Sequence, residues 1–264
     1  MNYGRGKKRL AHALQRILPG PAYRAARWSF LYLQYALDFY RFRRMMHGTA
    51  GRFGRIRWAE RQPCLEDRTP TTGFDAHYVY HVAWAARVVA KIHPDEHVDI
   101  GSSLGFSTVI SAFVPVRFYD YRAAKLVLSN LTCRTADLTR LPFPDDSVRS
   151  LSCMHVLEHI GLGRYGEPLD PDGDIRAFGE LLRVLAPGGD LLIVVPVGRS
   201  RIFFNAHRIF GFEQVMGLCA PLHLVEFSLL PDDSQETGLL HMPAPALVKQ
   251  QKYGCGCFWF RKSI

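Results

Sequence analysis

The sequence predicts an α/β domain built on a mostly parallel sheet and preceded by a helical extension. Three observations predict it. Short apolar strands alternate with helices from residue 75 to residue 195, the order that right-handed crossovers turn into a parallel sheet. Glycines and carboxylates recur where those strands end. The charge is also divided: residues 1–62 hold 14 Lys and Arg against two acids, Asp38 and Glu60, for a net +12, so the other 202 residues carry −3 of the chain's +9. At 264 residues and 48% hydrophobic, the chain can build one large core plus an extension, which excludes wholesale disorder and low-complexity arrays.

The extension, residues 1–60, comes first. Residues 1–18 read as a basic helix stopped by Pro19-Gly20-Pro21. Ala22 to about Met46 reads as a long helix rich in aromatics (Trp28, Phe30, Tyr32, Tyr35, Phe39, Tyr40), with arginines crowding both ends. Two readings stay open for residues 1–46. The helix lies on an anionic membrane, rings in the interface and arginines on headgroups, or it packs its rings on the domain with the basic face in water. No nucleic-acid reader motif accompanies the charge, so no specific nucleic acid is expected. Trp28 to Phe42 is interrupted by Gln34, Asp38 and Arg41, too short and polar to span a bilayer. The chain's start has no continuous apolar run of the secretory type. Six scattered cysteines read as reduced thiols and give no zinc spacing, so no metal is expected. These features predict a cytoplasmic protein, peripheral at the inner membrane face if the arm binds lipid. Residues 47–73 read as a linker.

The domain, residues 61–264, follows in order. Tyr78, Val79, Val82, Ala85, Ala86 and Val89 give Asp75–Ile92 a helical apolar face. Strand Val98–Ile100 runs into Gly101-Ser-Ser-Leu-Gly105, then a helix from Ser107 to Val114. Strand Arg117–Tyr119 ends at Asp120, and a helix is expected from Arg122 to Asn130. A third strand reaches Asp137, a fourth spans Val148–Met154, and Gly173–Leu185 reads as a helix. Ala186-Pro-Gly-Gly189 is a turn, and Leu191–Val195 is apolar as a central parallel strand should be. Leu224–Leu230 and Gly256–Arg261 are expected to close the sheet as an antiparallel pair.

Ligands of open α/β sheets sit beyond the carboxyl ends of the strands. The turn after the first strand fits neither the dinucleotide pattern GxGxxG nor a P-loop. It is closer to the D/E-x-G-x-G-x-G turn of class I S-adenosylmethionine-dependent methyltransferases. Asp99 could hold the ammonium of the methionine part. Asp120, 19 residues after Gly101, could accept both ribose hydroxyls, and Asp137 an adenine amino group. For each aspartate alone, a helix cap or turn role is the plainer reading.

Further motifs follow: Leu141-Pro-Phe-Pro-Asp-Asp, His155-Val-Leu-Glu158-His159 and Leu182-Arg-Val-Leu-Ala-Pro-Gly-Gly. With them, residues 98–195 resemble a class I methyltransferase. More narrowly, the chain resembles a family known as domain of unknown function number 268. Its marks stand here as Thr72-Gly-Phe-Asp75, Tyr78-Val-Tyr80-His81, Gly161-Leu-Gly163-Arg164-Tyr165-Gly166-Glu-Pro168, Phe204-Asn205-Ala-His207-Arg208 and Gly254-Cys-Gly256-Cys-Phe258. The resemblance implies a Rossmann-like three-layer sandwich with a seven-stranded, mostly parallel sheet. It implies S-adenosylmethionine around Asp99, Gly101, Ser103, Gly105, Asp120, Asp137 and Leu138. It also implies O-methylation of a glycan or related small acceptor in surface-polysaccharide synthesis.

Methyl transfer to a hydroxyl needs positioning and a base. His159 is the first candidate, Glu158 its partner or orienter, and His155 shares a helical face with His159 at i, i+4. Arg164, Tyr165 and His207 are candidates for the acceptor. Ser103, in place of a middle glycine, and Arg149, in place of an aspartate in the fourth strand, depart from the pattern. They favour the alternative, a non-catalytic binding or scaffold protein of a glycan-assembly system.

Overall fold

The computed structural model describes residues 20–46 and 54–264. The helix expected over residues 1–18 lies outside the described residues, as does part of the 47–73 linker. The chain forms two compact units that divide between Gly73 and Phe74.

In the first unit, helix α1 runs from Gly20 to Met45. Pro21 sits in its first turn, where a missing N–H loses no hydrogen bond. No residue of α1 is buried. Tyr35, Phe39 and Tyr40 gather on Trp58, the last stacked at 5.6 Å between centroids. Trp28, Phe30, Leu33, Leu37 and Phe42 are exposed. Among the described residues no helix is long and apolar enough to cross a membrane.

The second unit holds one eight-stranded sheet. Its strands are β1 (His97–Ile100), β2 (Val116–Asp120), β3 (Leu131–Thr135), β4 (Val148–Met154), β5 (Leu185–Val197), β8 (His223–Leu230), β9 (Leu240–His241) and β10 (Gly254–Arg261). A separate hairpin joins β6 (Arg201–Phe203) and β7 (His207–Ile209). The order across the large sheet is β3-β2-β1-β4-β5-β10-β8-β9. The first five strands are parallel, and β10 inserts antiparallel between β5 and β8. The closing pair is therefore as expected, and the eighth strand is the two-residue β9.

Helices cover both faces. On one, α2 (Ala76–Ile92) and α3 (Leu104–Ile110) pack Trp84, Val88, Phe106 and Ile110 against Val194 and Trp259. On the other, α4 (Gly173–Val184) and α5 (Phe212–Leu218) pack Phe178, Leu181 and Val215 against Ile193, Val195 and Phe258. This is the three-layer arrangement that the sequence predicts. β5 is buried along its apolar length because both faces are covered.

One expected helix is absent. Residues 121–130 form turns and an isolated bridge between Leu128 and Leu131. Leu126, Val127 and Leu128 are exposed there, so the segment has no buried apolar face to stabilise a helix.

Candidate functional site

A cavity of about 540 Å³ opens beyond the carboxyl ends of β1, β2 and β3. Its first wall is local in sequence. Gly101 ends β1 with φ 68°, and a Cβ there would stand 3.0 Å from Val156. Glycine is what that conformation and approach require. Asp120 ends β2, and Asp137 follows β3. Each binds its own turn through Oδ1: Asp120 accepts from Arg122 N at 2.7 Å, Asp137 from Thr139 N at 2.8 Å. The turn role is thus real for both, and each keeps Oδ2 without a hydrogen-bond partner among the described residues. Leu138 lines the same wall and reaches into the core.

The second wall comes from the segment after β4. His155 has φ 56° and is buried, donating Nδ1–H to Glu158 at 2.9 Å. Burial opposes its charge, but the Cys255 sulfur and the Glu158 carboxylate hold its pKa up, to about 10. His155 and His159 do not share a helical face as expected, because only Leu157–His159 is helical and His155 is left-handed. Each ring instead meets Glu158 separately, His159 with Nε2 at 3.7 Å. His159 donates Nδ1–H to the Ala206 carbonyl at 2.6 Å, which leaves Nε2 as a lone pair. Burial lowers the His159 pKa, which favours the neutral ring.

The Gly-Arg-Tyr-Gly loop roofs the cavity with Gly161 and Tyr165. Gly161 has φ 78° and packs where any Cβ would collide with the Asp170 carbonyl. Glu167, not singled out in the sequence, ties the loop by accepting from the backbone N–H groups of Gly163 and Tyr165, both at 2.8 Å. Burial pushes its carboxyl up, yet these donors win and hold it below the ordinary range. Arg122, also missed, lies 4.4 Å over the Tyr165 ring.

Several expected residues stand elsewhere. Asp99 does not reach the cavity. It is fully buried beneath the turn and accepts from the hydroxyls of Ser107 and of Ser152, the latter at 2.7 Å. Burial raises its pKa to about 6 despite those hydroxyls. Ser103 does not crowd the cavity either: it caps α3, its Oγ accepting from Phe106 N at 3.4 Å. Gly105 lies within α3, and a Cβ there would meet only Ser103 Oγ at 3.9 Å. Arg149 is exposed near the opposite end of β4, beside Glu96 and Asp190, and has no bearing on the cavity. Arg164 lies outside the cavity lining and donates to the Ala206 carbonyl at 3.0 Å. His207 is on β7, its ring 4.9 Å from that of Tyr253.

A third group adjoins the histidine wall. His77 and His81 on α2 pack around His155, with ring centroids 5.4 and 5.0 Å away, and Cys255 Sγ lies 3.6 Å from His155 Nε2. His81 and Cys255 stand in the quoted family motifs, but no spacing rule joins positions so far apart.

Known proteins fit this picture. Residues 146–234 match the model of a family described as "Caenorhabditis protein of unknown function, DUF268", so the family resemblance holds across that segment. No curated protein matches the chain. Among solved structures, a candidate sarcosine dimethylglycine methyltransferase from Galdieria sulphuraria is similar, with TM-score 0.50 and 16% identity over 70% of this chain and 86% of that one. The N-methyltransferase NodS from Bradyrhizobium japonicum, solved with S-adenosyl-L-homocysteine, aligns with TM-score 0.46 and 14% identity over 69% and 85%. The first of these, with the sheet order above, shows the Rossmann-like class I methyltransferase fold.

Proposed function

We propose that this protein is an S-adenosylmethionine-dependent methyltransferase acting on a hydroxyl of a glycan or related small acceptor. The observation that carries the reading is the pair of strand-end carboxylates facing one cavity, each with a free Oδ2, beside a glycine that leaves room for a ligand. Asp120 is placed to accept from ribose hydroxyls and Asp137 from an adenine amino group, with Leu138 as an apolar contact for the base. The bound cofactor would supply a methyl group on a sulfonium, an electrophile that needs no covalent help from the protein.

The protein's own contribution is positional and basic. His159 offers a neutral Nε2 that can take the acceptor's proton, while Ala206 fixes its tautomer. Glu158 is the nearest carboxylate to support the resulting imidazolium. Tyr165 and Arg122 give the acceptor side an aromatic face and a cation, which suits a sugar or an anionic group. The basic, aromatic α1 supports a peripheral position on an anionic membrane, reached from the cytoplasm. The non-catalytic alternative loses its support, since Ser103 caps a helix and Arg149 faces away.

Calorimetry with S-adenosylmethionine and S-adenosylhomocysteine tests the reading. Binding of both to the folded protein is expected, and absence of heat with either overturns it. For the arm, flotation with anionic liposomes is decisive: partitioning unchanged by deletion of residues 1–46 removes the membrane role.

A further inference from the structure

Behind the second wall, the fold brings together groups from three distant parts of the chain. His77 begins α2, His155 follows β4, and Cys255 begins β10. Because β10 runs antiparallel, its start lies at the same sheet edge as the ends of the parallel strands. One donor atom from each of these residues lies within 4.8 Å of the other two.

The hydrogen bonds around them prepare lone pairs. His155 gives Nδ1–H to Glu158, and its Nε2 faces the Cys255 sulfur. His77 Nε2 meets the Tyr253 carbonyl at 3.1 Å, and His81 Nδ1 the His77 carbonyl at 2.6 Å. Carboxylates and carbonyls only accept, so each ring nitrogen facing one carries the proton. The opposite nitrogen of the His77 and His81 rings then carries a lone pair, while His155 Nε2 points at the Cys255 sulfur. For His81 that atom, Nε2, is buried without a hydrogen-bond partner, and so is Glu158 Oε2. Buried polar atoms without partners are uncommon and call for an explanation.

We propose that His77, His155 and Cys255 bind one divalent transition metal ion, zinc foremost. Two imidazoles and a thiolate suit zinc or cobalt and not magnesium or calcium, which take oxygen ligands. The Glu158 carboxylate on His155 and the Tyr253 carbonyl on His77 are the outer partners that fix ligating imidazoles. Three protein donors leave a fourth tetrahedral position for water or an acceptor oxygen. His155 also lines the cavity, so that position would adjoin the acceptor side.

The test uses the full chain, stripped with a chelator and titrated with zinc against a chromophoric competitor. One zinc per chain is expected. Cys255→Ser and His77→Ala are each expected to remove the site, and Glu158→Gln to weaken it roughly 10–100-fold. Cys64→Ser, at an exposed thiol, should leave it intact. With cobalt, the wild type should show a thiolate-to-metal charge-transfer band that Cys255→Ser lacks. Circular dichroism checks folding. If Cys255→Ser does not fold, the partly exposed His77→Ala and the wild-type cobalt band decide. Less than one zinc per chain, zinc affinity indifferent to these variants, or cobalt without the charge-transfer band overturns the proposal. Cofactor calorimetry on the same chelated protein is a separate readout, so either proposal can fail alone.

Discussion

The two walls of the cavity are built by different means. The carboxylate wall consists of Gly101, Asp120, Asp137 and Leu138, each placed by the strand it follows. Its turns are stabilised by their own backbone, as when Asp120 accepts from Arg122 two residues on. The histidine wall depends on partners far away: His155 meets Cys255 across 100 residues, and His159 is set by Ala206 across 47. A wall made of local turns tolerates change elsewhere in the fold. A wall made of long-range contacts exists only when the whole sheet is closed.

This contrast can be broken or sharpened by substitution. The largest effect is expected at Asp120. Asp120→Ala removes the charged acceptor proposed for the ribose, and loss of charge-assisted hydrogen bonds of about 1.5–3 kcal/mol corresponds to roughly 10–100-fold weaker binding of S-adenosylhomocysteine. Calorimetry reads it, and unchanged affinity refutes the assignment. Next is Gly161→Ala in the roof. Its Cβ would strike the Asp170 carbonyl at positive φ, costing about 2 kcal/mol or more in urea unfolding. An unaffected midpoint would mean that the roof gives way easily.

Beneath the first wall, His97 is fully buried between Ser150 and Ser152, and burial depresses its pKa to about 3. A depressed histidine stabilises the fold above its unfolded pKa near 6.5, and that stability is lost as pH falls towards 3. The wild type should lose up to about 1.4 kcal/mol per pH unit through this group. His97→Gln should flatten the slope in unfolding series between pH 6.5 and pH 4; equal slopes would show that His97 is protonated in the fold. The smallest effect belongs to Ser103→Ala. Loss of the α3 cap costs about 1 kcal/mol and leaves cofactor affinity unchanged. Tighter binding by the variant would restore the view that Ser103 crowds the ligand.

Much of the fold was legible because periodicity and turn residues report local preference. Val148–Met154 was read with its exact bounds, and the antiparallel closure by β8 and β10 followed from their apolar runs. Residues 121–130 misled because Leu126, Val127 and Leu128 look like a helical face but find nothing to bury against. Asp99 misled in the opposite way. Its motif position points at a ligand, but two serine hydroxyls from α3 and β4 claim it first. Arg164 lies on a loop and His207 on β7, both outside the cavity lining, because which way such a side chain turns depends on neighbours that its own sequence does not contain.

The sequence by itself determined the alternation of strands and helices, the glycine turn and the carboxylates at strand ends, because those rest on backbone geometry and on spacing within one βαβ unit. It also determined the division of charge between arm and domain. The tertiary structure alone decided that His77, His155 and Cys255 converge, that Glu158 orients one histidine and faces another, and that Asp99 is structural. The reason is physical. Such contacts join residues from different layers and from an antiparallel strand added last to the sheet, and they form only when apolar burial on both faces has closed the core.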